Sequence, residues 1–139
     1  MRIPQHLNGP PASAQGGYIA GSLAVRLPAA GADVWLRAPV PLATDLEEVL
    51  TGRHLELRHA GHLLAEADAI DEVVADPVPF VPLEQAQQAS EGYPGALLPN
   101  EYGTCFSCGW LREDGLGIRP GPVREGLVAC VWHPRGRSA

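Results

Sequence analysis

Between Ser13 and Pro28 the chain carries its most constraining stretch, Ser13-Ala14-Gln15-Gly16-Gly17-Tyr18-Ile19-Ala20-Gly21-Ser22-Leu23-Ala24-Val25-Arg26-Leu27. After Tyr18 only Ser22 and Arg26 are polar, and a spacing of four puts both on one helical face. The pattern predicts a helix over about residues 14–27 that is apolar nearly all round, and such a helix is normally buried by the rest of its domain. Ser13 is placed to cap its start, and Pro28 to stop it, because a proline pushes the residue before it out of the α region. Gly16 and Gly17 cost helix stability and therefore call for a reason. Either they let a strand pack closely on the helix start, or they leave free amides, at the positive end of the helix dipole, open to an anionic or oxyanionic group.

The segments after Pro28 change period. Asp33-Val34-Trp35-Leu36-Arg37-Ala38 alternates, with Val34, Leu36 and Ala38 on one face, and Pro39-Val40-Pro41 ends any ladder there or confines it to an edge. Asp45–Thr51 is a weaker strand candidate, because Glu47 and Glu48 are adjacent. Arg53–Arg58 alternates cleanly, with Leu55 and Leu57 inward. His59-Ala60-Gly61-His62 supplies the glycine turn a hairpin needs, and Leu63–Ile70 resumes the alternation, with Leu63, Ala65, Ala67 and Ala69 on one face. Small side chains there leave room for a helix against the sheet. One helix followed by an antiparallel meander is an α+β pattern.

From Asp71 to Gly103 the chain is punctuated by Pro77, Pro79, Pro82, Pro94 and Pro99, and only Leu83–Ser90 has the makings of a short helix. The organisation expected is therefore a unit over 1–75, a connector over 76–103 and a C-terminal segment over 104–139. That last segment carries Cys105-Phe106-Ser107-Cys108-Gly109, a turn at Asp114-Gly115-Leu116-Gly117, an apolar strand at Leu127–Trp132, and a tail, Arg135–Ala139, that reads as frayed.

A net charge of −6, with all ten basic residues arginine, excludes general attraction to nucleic acid or anionic membranes. Met1–His6 opens no hydrophobic leader and no run approaches the length of a membrane span, so a cytoplasmic location is expected. Three cysteines, an odd number, argue for reduced thiols or a metal and against a disulfide framework. Cys105 and Cys108 have the spacing of half a zinc site, which Cys130 and His133 would complete. Residues three apart in a strand point to opposite faces, however, so that completion needs a turn at Trp132. His54, His59 and His62 cluster at the hairpin, where solvated turn residues are the plainer explanation.

Taken together, the Gly-Gly-Tyr helix start, the strand end Arg37-Ala38-Pro39-Val40-Pro41-Leu42 and the strand close Leu64-Ala65-Glu66-Ala67 resemble the hotdog-fold acyl-CoA thioesterases. Cys105-Phe106-Ser107-Cys108-Gly109, followed by Asp114-Gly115-Leu116-Gly117-Ile118, is similar to the opening of many thioesterase-like hotdog units. The resemblance implies a central helix wrapped by a curved antiparallel sheet, and one complete hotdog unit followed by the first strands of another, whose helix the chain does not reach. It further implies a two-fold homodimer, with an acyl-CoA or other acyl ligand as partner and coenzyme A as part of the substrate, no separate cofactor being called for.

By the same analogy the amides of Gly17 and Tyr18 would polarise a thioester carbonyl, Gln15 and Asn8 would orient water or the carbonyl, and Gly16 and Ser22 would border the substrate. The chain departs from the family where chemistry is concerned. Gln15 stands in place of the family's histidine, Ala24 in place of its acidic residue, and no Asp, Glu or His lies between Gln15 and Leu27. Asp33, Asp45, Glu66 and Asp68 remain as carboxylates outside the helix, each also suited to a solvated strand face. Arg53, Arg58, Arg112, Arg119 and Arg124 are the arginines available to coenzyme A phosphates. Thioester hydrolysis is thus one expectation. Acyl or small-ligand binding without turnover, or a supporting half in a larger assembly, are the others.

Overall fold

The computed structural model describes residues 1–72, 75–97 and 100–134, so Pro99 and the tail Arg135–Ala139 lie outside the described residues. The chain forms two compact units, Met1–Asp76 and Pro77–Ala139. The first is α+β: helix α1 (Gly16–Ala24) and strands β1 (Gly31–Leu36), β2 (Glu47–Thr51), β3 (His54–His59) and β4 (His62–Ile70). The strands make one antiparallel sheet in the order β1-β4-β3-β2, with β1 and β2 at its edges.

The β3–β4 turn follows from its two central residues. Ala60 (φ 47°) and Gly61 (φ 80°) both adopt positive φ, which joins His59 to His62 in a two-residue hairpin. Kept in strict register, this hairpin would set Leu57 against Leu64 and Leu55 against Glu66. A one-residue bulge prevents that. Arg58 pairs with Leu63 while Leu57 pairs with Ala65, so Leu64 is the extra residue on β4. Beyond it, Leu55 faces Ala67 and Glu56 faces Glu66, and apolar and charged side chains sort to opposite faces of the sheet. The Leu64 carbonyl accepts from both Arg37 N–H (2.8 Å) and Ala38 N–H (3.1 Å), which anchors the chain leaving β1.

Ile3, Ile19, Leu23 and Leu57 are the largest fully buried side chains, with Leu55, Leu64, Ala65 and Ala67 completing the sheet's inner face and Val40 and Leu46 closing its margin. Helix α1 lies against β1 and β4, where the alanines of β4 make room for it. The helix differs from the sequence expectation in two ways. It is shorter than 14–27, because Arg26 and Leu27 N–H groups bond to Leu23 and Ala24, three residues back, and tighten the last turn ahead of Pro28. It is also not enclosed. Gly17, Tyr18, Gly21 and Val25 are exposed, Val25 at 81%, so α1 buries one side only.

The second unit holds α2 (Leu83–Glu91), 3-10 turns at Pro94–Leu97 and Asn100–Tyr102, and a hairpin of β5 (Gly121–Arg124) and β6 (Leu127–Ala129). The stretch expected to be a connector with one short helix at Leu83–Ser90 has that helix, as α2, within this unit. α2 buries Ala86 and Ala89 and packs on β5 and β6. Ser90 Oγ bonds back to the Ala86 carbonyl (2.9 Å) and accepts the Val131 N–H (3.1 Å). The final strand stops at Ala129 and does not run on to Trp132.

Candidate functional site

In the first unit the start of α1 is set by a closed loop. Asn8 pairs with Ala14 in an isolated bridge, Gly9 N–H bonds to the Ser13 carbonyl (2.9 Å), and Gln15 N–H bonds to the Leu7 carbonyl (2.9 Å). Ala14 N–H reaches across to the Val40 carbonyl (2.8 Å), tying the helix entry to the chain beyond β1. Ser13 is spent on the loop. The helix is capped by Gln15, whose side-chain oxygen accepts the Tyr18 N–H at 2.6 Å. An i to i+3 bond of this kind satisfies one of the donors every helix start leaves open.

That bond bears on two of the six candidate residues. The Tyr18 amide, expected to hold a carbonyl oxygen, donates to the Gln15 side-chain oxygen, which leaves Gln15 its amide NH2 to orient a water. The Gly16 and Gly17 N–H groups are the helix-start donors that Gln15 does not take. A β-carbon on Gly16 would meet Leu36 Cδ1 at 2.9 Å, and one on Gly17 would meet Gln15 Oε1 at 3.2 Å, each the end of a flexible side chain. Asn8 is buried, its side-chain amide donating to the Gly9 carbonyl (3.0 Å), and Ser22 lies further along α1 with its carbonyl accepting from Arg26.

Beside Gly16 opens a cleft of about 340 Å³. Pro10, Ser13, Ala14, Gly16 and Ile19 line one side, and the run Leu36–Val40 lines the other. The walls are largely apolar, Arg37 is their charged member, and Gly16 is the one sequence candidate among them. Arg37 was not singled out, although the strand-end motif contains it. Its guanidinium is held by Glu66, with Nε at 2.6 Å from Oε1, and stands 5.9 Å from the centre of the Trp35 ring. No Asp, Glu, His or Cys lines the cleft. Of the arginines suggested for phosphates, Arg53 pairs with Asp71 and Arg58 with Glu56 in the first unit; in the second, Arg112 pairs with Asp114 and Arg119 donates to the Gly109 carbonyl.

Of the carboxylates suggested as water activators, Asp33, Glu66 and Asp68 lie on the sheet's other face. Asp33 faces Asp68 across β1 and β4, and Asp45 is exposed beside Arg2. Half-buried His54 takes Asp68 at 2.8 Å, with Glu66 at 3.7 Å and Glu56 at 3.8 Å from its other ring nitrogen. Strand alternation turns these groups away from Leu55, Leu57, Ala65 and Ala67, and of them, among the described residues, Glu66 alone is bonded to a cleft residue, Arg37. The Asp68 hydrogen bond, aided by the charges of Asp68, Glu66 and Glu56, outweighs partial burial and raises the His54 pKa above its ordinary value. A raised folded value means that the pair stabilises fully below the unfolded pKa of about 6.5, and that this stability is lost as pH rises through the folded value. His54→Gln is therefore expected to lower the urea midpoint more at about pH 5.5 than at about pH 8.5. Equal losses at both would show that His54 titrates without these partners.

Cys130 and His133 do not complete the cysteine pair. Among the described residues no three His, Cys, Asp or Glu side chains stand where one metal ion could join them. Nor is any helix among them long and apolar enough to cross a membrane. Comparison with known proteins gives no match to a family model, to a curated protein or to a solved structure.

Proposed function

We propose that the first unit is a thioesterase-like hotdog unit that holds an acyl thioester in the cleft at the start of α1. The observation that carries this reading is the cleft itself: an apolar space of about 340 Å³ opening beside Gly16. Pockets of this size and lining suit a small ligand oriented by few polar groups. The apolar walls take the acyl chain, and the Gly16 and Gly17 amides, at the positive helix end, take the thioester carbonyl. Strand β1 is an open edge with Trp35 and Leu36 exposed, which favours a second copy pairing there to make a two-fold dimer.

Binding without turnover by this chain is the form the geometry favours, because hydrolysis needs a group to activate water and the cleft presents none. Hydrolysis is the second reading, supported by the helix-start amides of Gly16 and Gly17, a kind of donor that suits an oxyanion. A thiol-release assay over short, long and aromatic acyl-CoAs, run beside calorimetry, separates the two. The expected result is binding with no thiol released. Release that disappears in Gly17→Pro would establish hydrolysis, since proline at this first-turn position removes an N–H at little cost to the helix. Neither binding nor release would leave the unit without an acyl ligand and overturn the proposal.

A further inference from the structure

The second unit contains a pair of thiols that the cleft reading leaves unused. Cys105 and Cys108 sit in a tight turn closed by the Gly109 N–H on the Cys105 carbonyl at 2.8 Å. Position 109 has space only for glycine: a β-carbon there would lie 2.5 Å from the Gly103 carbonyl oxygen and 2.6 Å from that of Cys105. Three further bonds brace the turn. Leu116 N–H reaches the Phe106 carbonyl (2.7 Å), Ile118 N–H the Ser107 carbonyl (2.8 Å), and Arg119 Nη2 the Gly109 carbonyl (2.8 Å). Within such a turn, residues three apart have α-carbons about 5–6 Å from each other, inside the range a disulfide spans.

The side chains agree with the backbone. Cys105 is buried and Cys108 half-buried, and the Cys105 thiol and the Tyr93 hydroxyl are the neighbouring polar side chains that bear on the Cys108 sulfur. All three cysteines are reduced in this structure. We infer that Cys105 and Cys108 form a reversible dithiol–disulfide pair that oxidises by exchange with a small-molecule disulfide.

The exchange runs in two steps. Cys108, the more accessible thiol, loses its proton and attacks one sulfur of the disulfide RSSR. A Cys108–SR bond forms, the RS–SR bond breaks, and one RS⁻ leaves. Cys105 then loses its proton and attacks Cys108 Sγ, so that the Cys105–Cys108 bond forms and the second RS⁻ departs. The protein gives up two electrons and two protons, and RSSR becomes two thiols. Tyr93 acts as a positioning residue, its hydroxyl donating to the Cys108 sulfur and stabilising the attacking thiolate. Burial pushes the Cys108 thiol up, the Tyr93 bond opposes that rise, and the Cys105 contact adds to it, so exchange quickens with rising pH.

The test uses the full chain with Cys130→Ser and glutathione disulfide as the oxidant, followed by intact-mass measurement and thiol counting. The expected product has lost about 2 Da, carries no glutathione and has no free thiol, and dithiothreitol restores both thiols. Cys105→Ser is expected to keep glutathione attached to Cys108. Tyr93→Phe is expected to slow bridging about tenfold, the loss of one hydrogen bond to a charged group, and to move the rate's pH profile upward. Phenylarsine oxide, which chelates adjacent thiols, serves as a second measurement on the unmutated chain and is expected to block the loss of mass. Two thiols left free, or glutathione remaining on Cys108 beside an unreacted Cys105, would overturn the inference.

Discussion

Replacing Gly121 with alanine is expected to destabilise the second unit by about 3 kcal/mol or more. Gly121 opens β5 directly against the last turn of α2, where a β-carbon would fall inside contact distance of the Ala89 carbonyl oxygen and 3.1 Å from the Gly92 carbonyl carbon. These are backbone atoms, and no rotamer change moves them aside. Shifting them disturbs the end of α2, because the Ala89 carbonyl accepts the Gly92 N–H (3.0 Å) that closes the helix. Hydrogen exchange read by mass spectrometry over 83–91 and 121–129 is the measurement, since it reports both elements separately from the first unit. Protection falling together in the two segments is the expected outcome. Unchanged protection would mean that β5 does not lie against α2 as described.

Leu57→Ala carries the next largest effect, about 3 kcal/mol of lost stability in the first unit. Leu57 has no exposed surface and stands opposite Ala65, itself fully buried, with Ala67 also buried on the adjoining strand. Alanine neighbours have no side-chain reach with which to fill the space a leucine leaves, so the cavity persists and adds to the lost transfer energy. Leu50→Ala on the edge strand β2, where Leu50 is 55% exposed, should change stability by no more than about 0.5 kcal/mol. Exchange protection over 54–70 in the two variants makes the comparison. Similar small losses at both positions would place the core elsewhere.

The β2-β3-β4 part of the expected meander was legible because its strands alternate cleanly and its turn chemistry is local, whereas the crossover that pairs β1 with β4 instead of β2 was not. His59–His62 announces a hairpin through Gly61, and Leu55 and Leu57 announce the buried face of β3. The bulge at Leu64 was not legible, since it is an accommodation between strands and leaves no mark on either one alone. Without it Leu55 would face Glu66; with it the leucines meet alanines, and His54 meets Asp68. Ser13 reads as a helix cap because serine is favoured there, yet the loop closed by Asn8 and Ala14 takes Ser13, and a glutamine two residues on does the capping. The all-round apolarity of 14–27 overstated burial, because α1 buries Ile19 and Leu23 against one sheet face while Gly17, Gly21 and Val25 look outward. The Cys-x-x-Cys pair is visible by spacing. Tyr93, whose hydroxyl neighbours it from twelve residues upstream of Cys105, follows no periodicity that reading along the chain detects.

The cleft beside Gly16 is the central claim, and acyl-CoA titration by calorimetry of wild type, Gly16→Val and Gly21→Ala tests it most directly. A side chain at Gly16 projects toward Leu36 and fills the space, whereas one at Gly21 enters open solvent on the same helix. The account predicts that Gly16→Val weakens acyl-CoA binding at least about tenfold, the equivalent of some 1.4 kcal/mol, while Gly21→Ala binds as wild type does. Equal affinity in all three proteins would contradict it and place any acyl ligand outside this cleft.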